Sequence, residues 1–240
     1  MNNNNSFEME EFTRSGLSMS AAFPALMRKV YVWMTLALAI TGITAYGVAT
    51  SPALLSLIFA SKATFFGLII AEFVLVFAIS GAINRLSLST ATLLFVLYSV
   101  VNGATLSSIF LMFSMTTIGK VFFITAGTFA VMAFVGYTTK TDLTSMGKLL
   151  FMALIGLIIA TVVNMFMKSA GFDLILSYIG VLVFVGLTAY DTQKIKHLLQ
   201  LTPDAGEHMQ KMALLGALTL YLDFVNLFLY LLRIFGNNKE

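Results

Sequence analysis

Residues 178–196 read YIGVLVFVGLTAYDTQKIK. No charge occurs between Leu174 and Tyr190, and the run then stops on Asp191, with Lys194 and Lys196 just beyond it. Such a run reads as a membrane-crossing helix, because roughly 20 apolar residues cross the hydrocarbon core. DTQKIKHLL (191–199) contains no breaker. The helix is therefore expected to continue past Asp191, leaving that carboxyl below the headgroups and the lysines at the membrane surface. The next apolar run has the same interruption: LYLDFVNLF, 220–228, carries Asp223.

Composition extends this reading to the whole chain. Its 240 residues are 59% hydrophobic and 10% charged, with a mean hydropathy of +0.93. A water-soluble domain carries about 25% charged residues, so this chain has too few to cover a surface facing water. There is no cysteine, which excludes disulfides, thiolate metal sites and a cysteine nucleophile. His197 and His208 are too few for a histidine-rich metal cluster. Basic residues flanking membrane spans account for the net charge of +3 without a nucleic-acid partner.

The spans lie where charge is absent. One fills the gap between Lys29 and Lys62; a second covers 63–84 and is broken only by Glu72. The others fall near 90–113, 118–138, 149–167, 174–191 and 212–234, the sixth being the shortest. Glycine and β-branched residues are frequent in them, but in lipid the backbone must satisfy its own hydrogen bonds, so helix prevails. The fold class is all-α integral membrane, a seven-transmembrane-helix bundle. The polar segment 1–28 is expected to be a disordered cytoplasmic tail without a cleavable signal. Residues 29–236 form the membrane domain and 237–240 a short C-terminal tail. SPALLSLIFA (51–60) is expected as an interfacial loop and not a span.

Seven spans place the termini on opposite sides. With the N-terminus inside, the inner segments hold Arg14, Arg28, Lys29, Arg85, Lys140, Lys148, Lys194, Lys196 and Lys211. The outer ones hold Lys62, Lys120, Lys168, Arg233 and Lys239. Nine against five favours a cytoplasmic N-terminus.

Three acids remain at membrane depth: Glu72, Asp191 and Asp223. Asn102, Gly103, Ser107 and Ser108 read as helix–helix packing groups, and the Met and Phe residues as core or lipid-facing bulk. The acids differ, because an ionised carboxylate at a helix centre costs roughly 2.5–3.5 kcal/mol on insertion scales and faces the protein interior or a watery cavity. Spans six and seven are joined by LLQLTPDAGEHMQK, 198–211. If they pack as antiparallel neighbours, Asp191 and Asp223 come to broadly similar depth, within reach of each other. Two carboxyls sharing a site do not readily both ionise, so the pair holds a proton between them and answers to pH.

At these residues a resemblance emerges. YIGVLVFVGLTAYDTQKIK (178–196) followed by LLGALTLYLDFVNLFLYLLRIFG (214–236) resembles the Bax inhibitor-1 family of transmembrane proteins. The likeness extends to MRKVYVWMTLALAITG (27–42), LYSVVNGATLSSIF (97–110) and GYTTKTDLT (136–144), and its bacterial inner-membrane members are the most similar. The resemblance implies a seven-helix fold whose last, apolar helix is central and wrapped by the other six. It also implies a pH-controlled calcium leak, with an aspartate pair matching Asp191 and Asp223 as the proton sensor. A family arginine latches one aspartate from the cytoplasmic end of helix two; the candidate is Arg85 in GAINRLS (81–87).

Three functions compete. In a calcium leak or calcium/proton exchanger, Glu72, Asp191 and Asp223 supply oxygen ligands, the two aspartates holding the ion transiently. No cofactor is expected beyond Ca²⁺ as transported ion, and the partners are the bilayer, Ca²⁺, H⁺ and other membrane proteins. A non-conducting regulator would bind a membrane protease or transport complex. An intramembrane aspartyl protease also uses two aspartates, one in a Tyr-Asp pair like Tyr190–Asp191. Its second sits in a Gly-x-Gly-Asp turn, whereas LYL precedes Asp223 here. No enzymatic activity is expected.

Overall fold

The computed structural model describes residues 3–200 and 206–236, with side chains from residue 23 onward. The tail expected over 1–28 falls mostly on residues whose side chains are outside this set, and 237–240 lie outside the described residues. The helices are α1 (Asn3–Ala49), α2 (Pro52–Phe59), α3 (Lys62–Ala82), α4 (Leu88–Leu106), α5 (Ser108–Met112), α6 (Met115–Thr138), α7 (Thr144–Met167), α8 (Ala170–Gln200) and α9 (Glu207–Phe235).

Among the described residues, seven stretches are long and apolar enough to cross a membrane: Phe23–Ala49, Lys62–Ala82, Leu88–Met112, Met115–Thr138, Thr144–Met167, Ala170–Gln200 and Glu207–Phe235. The chain is thus an all-α integral membrane bundle of seven spans. The first is Phe23–Ala49 of the longer helix α1. The third combines α4 and α5, joined at Ser107, whose hydroxyl donates to Ala104 O at 2.7 Å. Residues 51–60 do not cross; they form the eight-residue α2, too short for a span. One expectation needs correction. Span six is not the shortest: its helix α8 has 31 residues, because it continues through DTQKIKHLLQ, whose charges mark the membrane surface and not the helix end.

Local signals set the ends. Ser87 and Ser114 each accept a backbone N–H three residues on, at 3.1 Å in both cases. Each also shares a hydroxyl–hydroxyl bond with the threonine at that position, 2.9 Å both times. These S-x-x-T starts satisfy amides that the first turn leaves free. Before α7, Asp142 accepts from Thr144 N at 2.9 Å and from its hydroxyl at 2.6 Å. Those bonds hold the exposed Asp142 carboxyl below the usual carboxylate range.

Burial sorts the helices. In α9, 72% of the most apolar window is buried, against 6% for Lys62–Ala82 and 11% for Thr144–Met167. A helix buried nearly all round is a core helix, so α9 is the axis of the bundle. Its main packing partners are α8, α1, α6 and α4, while α3 packs chiefly on α4 and α7 chiefly on α8. The centre expected for the last helix is present; the wrapping is done mainly by four helices, with two more outside them.

Candidate functional site

Helix α8 buries Leu176, Gly180, Val183, Leu187, Asp191, Ile195 and Leu199. Their spacing of three or four residues is one helical stripe. Asp191 sits on that stripe, so whatever packs the apolar members carries the carboxylate inward. The packing element is α9, with Asp223 on its buried surface. The two side chains face each other across the α8–α9 interface, close enough for each carboxyl to act on the other. Asp191 is 9% exposed and Asp223 4%, and Asp223 Oδ2 makes no hydrogen bond. A buried carboxylate beside another is tolerable only when one carries a proton that the other accepts. Among the described residues no third His, Cys, Asp or Glu joins them in a metal-sized cluster. Lys194, exposed, is the cation whose field reaches Asp191.

The pair lies at a close crossing. A Cβ on Gly136 of α6 would collide with the backbone carbonyl of Ala189, two residues from Asp191. Gln193 braces the nearby α6–α7 turn, accepting from Leu143 N at 2.9 Å and donating to Thr141 O at 2.8 Å. Both contacts fix α8 against α6 on the side of the helix end that follows Asp191.

Glu72 belongs to a different cluster. Asn102 on α4 donates to Glu72 Oε2 at 3.1 Å, and Tyr221 on α9 donates to Asn102 Oδ1 at 2.9 Å. The Thr41 hydroxyl on α1 lies 2.7 Å from the Tyr221 hydroxyl and 3.0 Å from Ser99 O, and its single hydrogen serves one of the two. Glu72 Oε1 is buried without a hydrogen bond. The chain of groups therefore links α3, α4, α9 and α1. Tyr221 and Asp223 are two residues apart on α9, about 3 Å along the axis and roughly 200° around it. Two polar clusters thus occupy one level of the central helix on opposite faces.

Arg85 stands exposed after α3 and has no ion pair among the described residues. The cation that engages this turn is Lys211 of α9, which is buried and donates to Leu86 O at 3.0 Å. Glu207, 3.9 Å from Lys211, accepts from Leu88 N at 3.0 Å. The sequence reading missed Lys211, Tyr221 and Thr41, and took Asn102 only as a packing group. The available signal was periodicity: Tyr221 shares a face with Leu214, Ala217 and Leu218, all buried.

These features define a seven-span helical membrane protein with a carboxyl pair buried between its last two helices. The chain belongs to the Bax inhibitor-1 family: the family described as "Inhibitor of apoptosis-promoting Bax1" matches residues 24–240. It is 47% identical over 234 residues to "Inner membrane protein YbhL" of Escherichia coli (strain K12), covering 96% of this chain and all of that protein. An uncharacterized protein of Borreliella burgdorferi is 46% identical over 214 residues, 89% of this chain and 92% of its own length. One of Deinococcus radiodurans is 39% identical over 214 residues, 89% and 90% of the two chains.

Proposed function

We propose that this protein is a pH-gated calcium leak of a bacterial inner membrane, with Asp191 and Asp223 as its proton sensor. The observation that carries the reading is the buried juxtaposition of these carboxyls at the α8–α9 interface. Near neutral pH one shared proton joins the two helices. As pH rises and the second carboxyl ionises, the like charges repel, and the site either opens or takes up a cation. At low pH both are neutral and no charge acts between them. The transition belongs to the pair and not to either residue. Calcium favours carboxylate oxygen, and two such groups suit passage more than storage. Family membership and the membrane named for the Escherichia coli relative support the location. α9 is continuous helix through Asp223, which supports a sensor over a protease, whose aspartate needs an opened backbone.

The test is calcium entry into liposomes carrying the purified protein, measured across pH. Asp191→Asn and Asp223→Asn should each flatten the profile. The double variant should match the singles, because residues acting as one unit are not additive. Single variants that both keep the wild-type midpoint would remove the sensor assignment. Absence of flux at every pH from folded protein would remove the leak itself and favour a non-conducting regulator that binds a membrane protease or transport complex.

A further inference from the structure

A lateral groove of ≈ 1020 Å³ opens between α1 and α6. These two helices both pack on α8 and α9 but have little direct contact with each other. Small residues make the hollow: Ala39 and Gly42 on α1, Ala126, Ala130 and Ala133 on α6. Its floor is Phe224, the residue after Asp223, held by Phe122 and Phe129 at ring distances of 5.6 and 5.5 Å. The groove runs along the membrane-spanning part of both helices, where the surrounding medium is hydrocarbon.

Its two ends differ. Ile43 and Phe122 mark the apolar end. Arg28 and Tyr137 mark the other, where Phe23 stacks on Tyr137 at 6.4 Å. Arg28 is exposed and has no ion pair among the described residues. At Tyr137, Lys196 donates to the backbone oxygen at 2.7 Å and lies 5.2 Å from the ring's centre. Arg28 is therefore the one charged residue among those lining the groove, and Lys196 engages Tyr137, which lines the same end. Asp142, the acid on the neighbouring turn, is already bonded to Thr144. From Arg28 to Ile43 is about 22 Å along α1, more than the ~15 Å of hydrocarbon in one leaflet. An acyl chain entering beside Arg28 is accommodated over its whole length.

We propose that this groove binds one anionic phospholipid, with an acyl chain laid against Phe224 and the phosphate at Arg28. Charge complementarity selects the headgroup, since guanidinium–phosphate pairing is strong and geometrically specific. The bilayer supplies the chain. Occupancy presses on the residue adjoining Asp223, so the lipid and the aspartate pair bear on the same stretch of α9. The site itself does not depend on the calcium reading.

Native mass spectrometry of the full chain in detergent tests it, with phosphatidylglycerol and phosphatidylcholine of matched acyl chains as probes. One retained phosphatidylglycerol is expected, about fivefold over phosphatidylcholine. Arg28→Gln should bring it down to the phosphatidylcholine level, and Lys120→Gln, in the first turns of α6, should leave it unchanged. Ala130→Trp, which fills the groove, should abolish the adduct. Arg28 is exposed, so its variant decides the matter even where the tryptophan prevents folding. Equal retention of the two lipids overturns the proposal, and so does phosphatidylglycerol retention that survives Arg28→Gln.

Discussion

Asp191 and Asp223 were legible in the sequence because a carboxylate inside a 20-residue apolar run has no bland explanation that costs little. Their meeting was legible as well, because the segment joining the two helices leaves them antiparallel and adjacent. Glu72 shows where residue-level reading stops. Its anomaly was visible, but the partners come from α4, α9 and α1, and no sequence spacing relates position 72 to 102 or 221. Hydrogen-bond chains across helices are set by helix rotation, which a nearly uniform apolar sequence specifies weakly. Glu72→Gln provides the test. Glutamine keeps an acceptor for Asn102 and removes the charge, so the fold should hold, with a melting temperature within about 4 °C of wild type, the shift expected of a change near 1 kcal/mol in a chain of this size. Calcium flux should fall roughly three- to tenfold, equivalent to about 0.7–1.4 kcal/mol in barrier. Unchanged flux in liposomes would mark Glu72 as a structural hydrogen-bond acceptor for the α3–α4 contact.

Among the helices, α9 is held at both ends by polar contacts and along its length by apolar ones. Lys211 and Glu207 tie its start to the α3–α4 turn, and Arg233 lies 3.7 Å from Asp173 near the start of α8. Between them the bundle depends on close backbone approach, because in lipid small residues at crossings substitute for the hydrophobic effect. Gly136 is the sharpest case. The obstacle to a side chain there is the carbonyl of Ala189, which is backbone and does not rotate away. Gly136→Ala should push α6 off α8 beside Asp191, costing about 1–3 kcal/mol as overpacking does. The expected readouts are a lower melting temperature and a shifted pH midpoint of flux. A variant with wild-type values for both would mean that α6 is free to slide and does not fix the pair. Element boundaries were read well where serine caps them and poorly at span six, where charge marks the membrane surface but not the end of the helix. The same distinction explains Arg85. Its position after α3 was readable, while the choice of Lys211 for this turn depends on α9 projecting beyond the apolar layer.

The whole molecule has one end where basic residues gather. Lys29 bonds Gln210 at 3.1 Å, Lys211 reaches Leu86 and Lys196 reaches Tyr137. The start of the first span, the α3–α4 turn, the end of α6 and the α8–α9 connection therefore share one side of the bundle. Lys62, Lys120, Lys168 and Arg233 fall in the segments at the other. Seven spans put the two ends of the chain on opposite sides, and the basic bias favours the orientation expected from the sequence, with the richer side facing the cytoplasm. The orientation matters for mechanism, because Asp191 lies nine residues before the end of α8 at Gln200, about 13 Å by helical rise. With the N-terminus inside, the carboxyl pair is nearer the cytoplasmic end of α8, and the proposed sensor would answer to cytoplasmic pH; with the reverse orientation it would answer to the outside. A reporter active only outside the inner membrane, fused after Gly236, should give a strong signal, and the same reporter in the α6–α7 turn at Lys140 none. Activity at Lys140 with silence after Gly236 would invert the molecule and reassign the pH that the pair detects. Activity at both positions would mean that α7, α8 and α9 do not all cross, which the burial of α9 between α8, α1, α6 and α4 opposes.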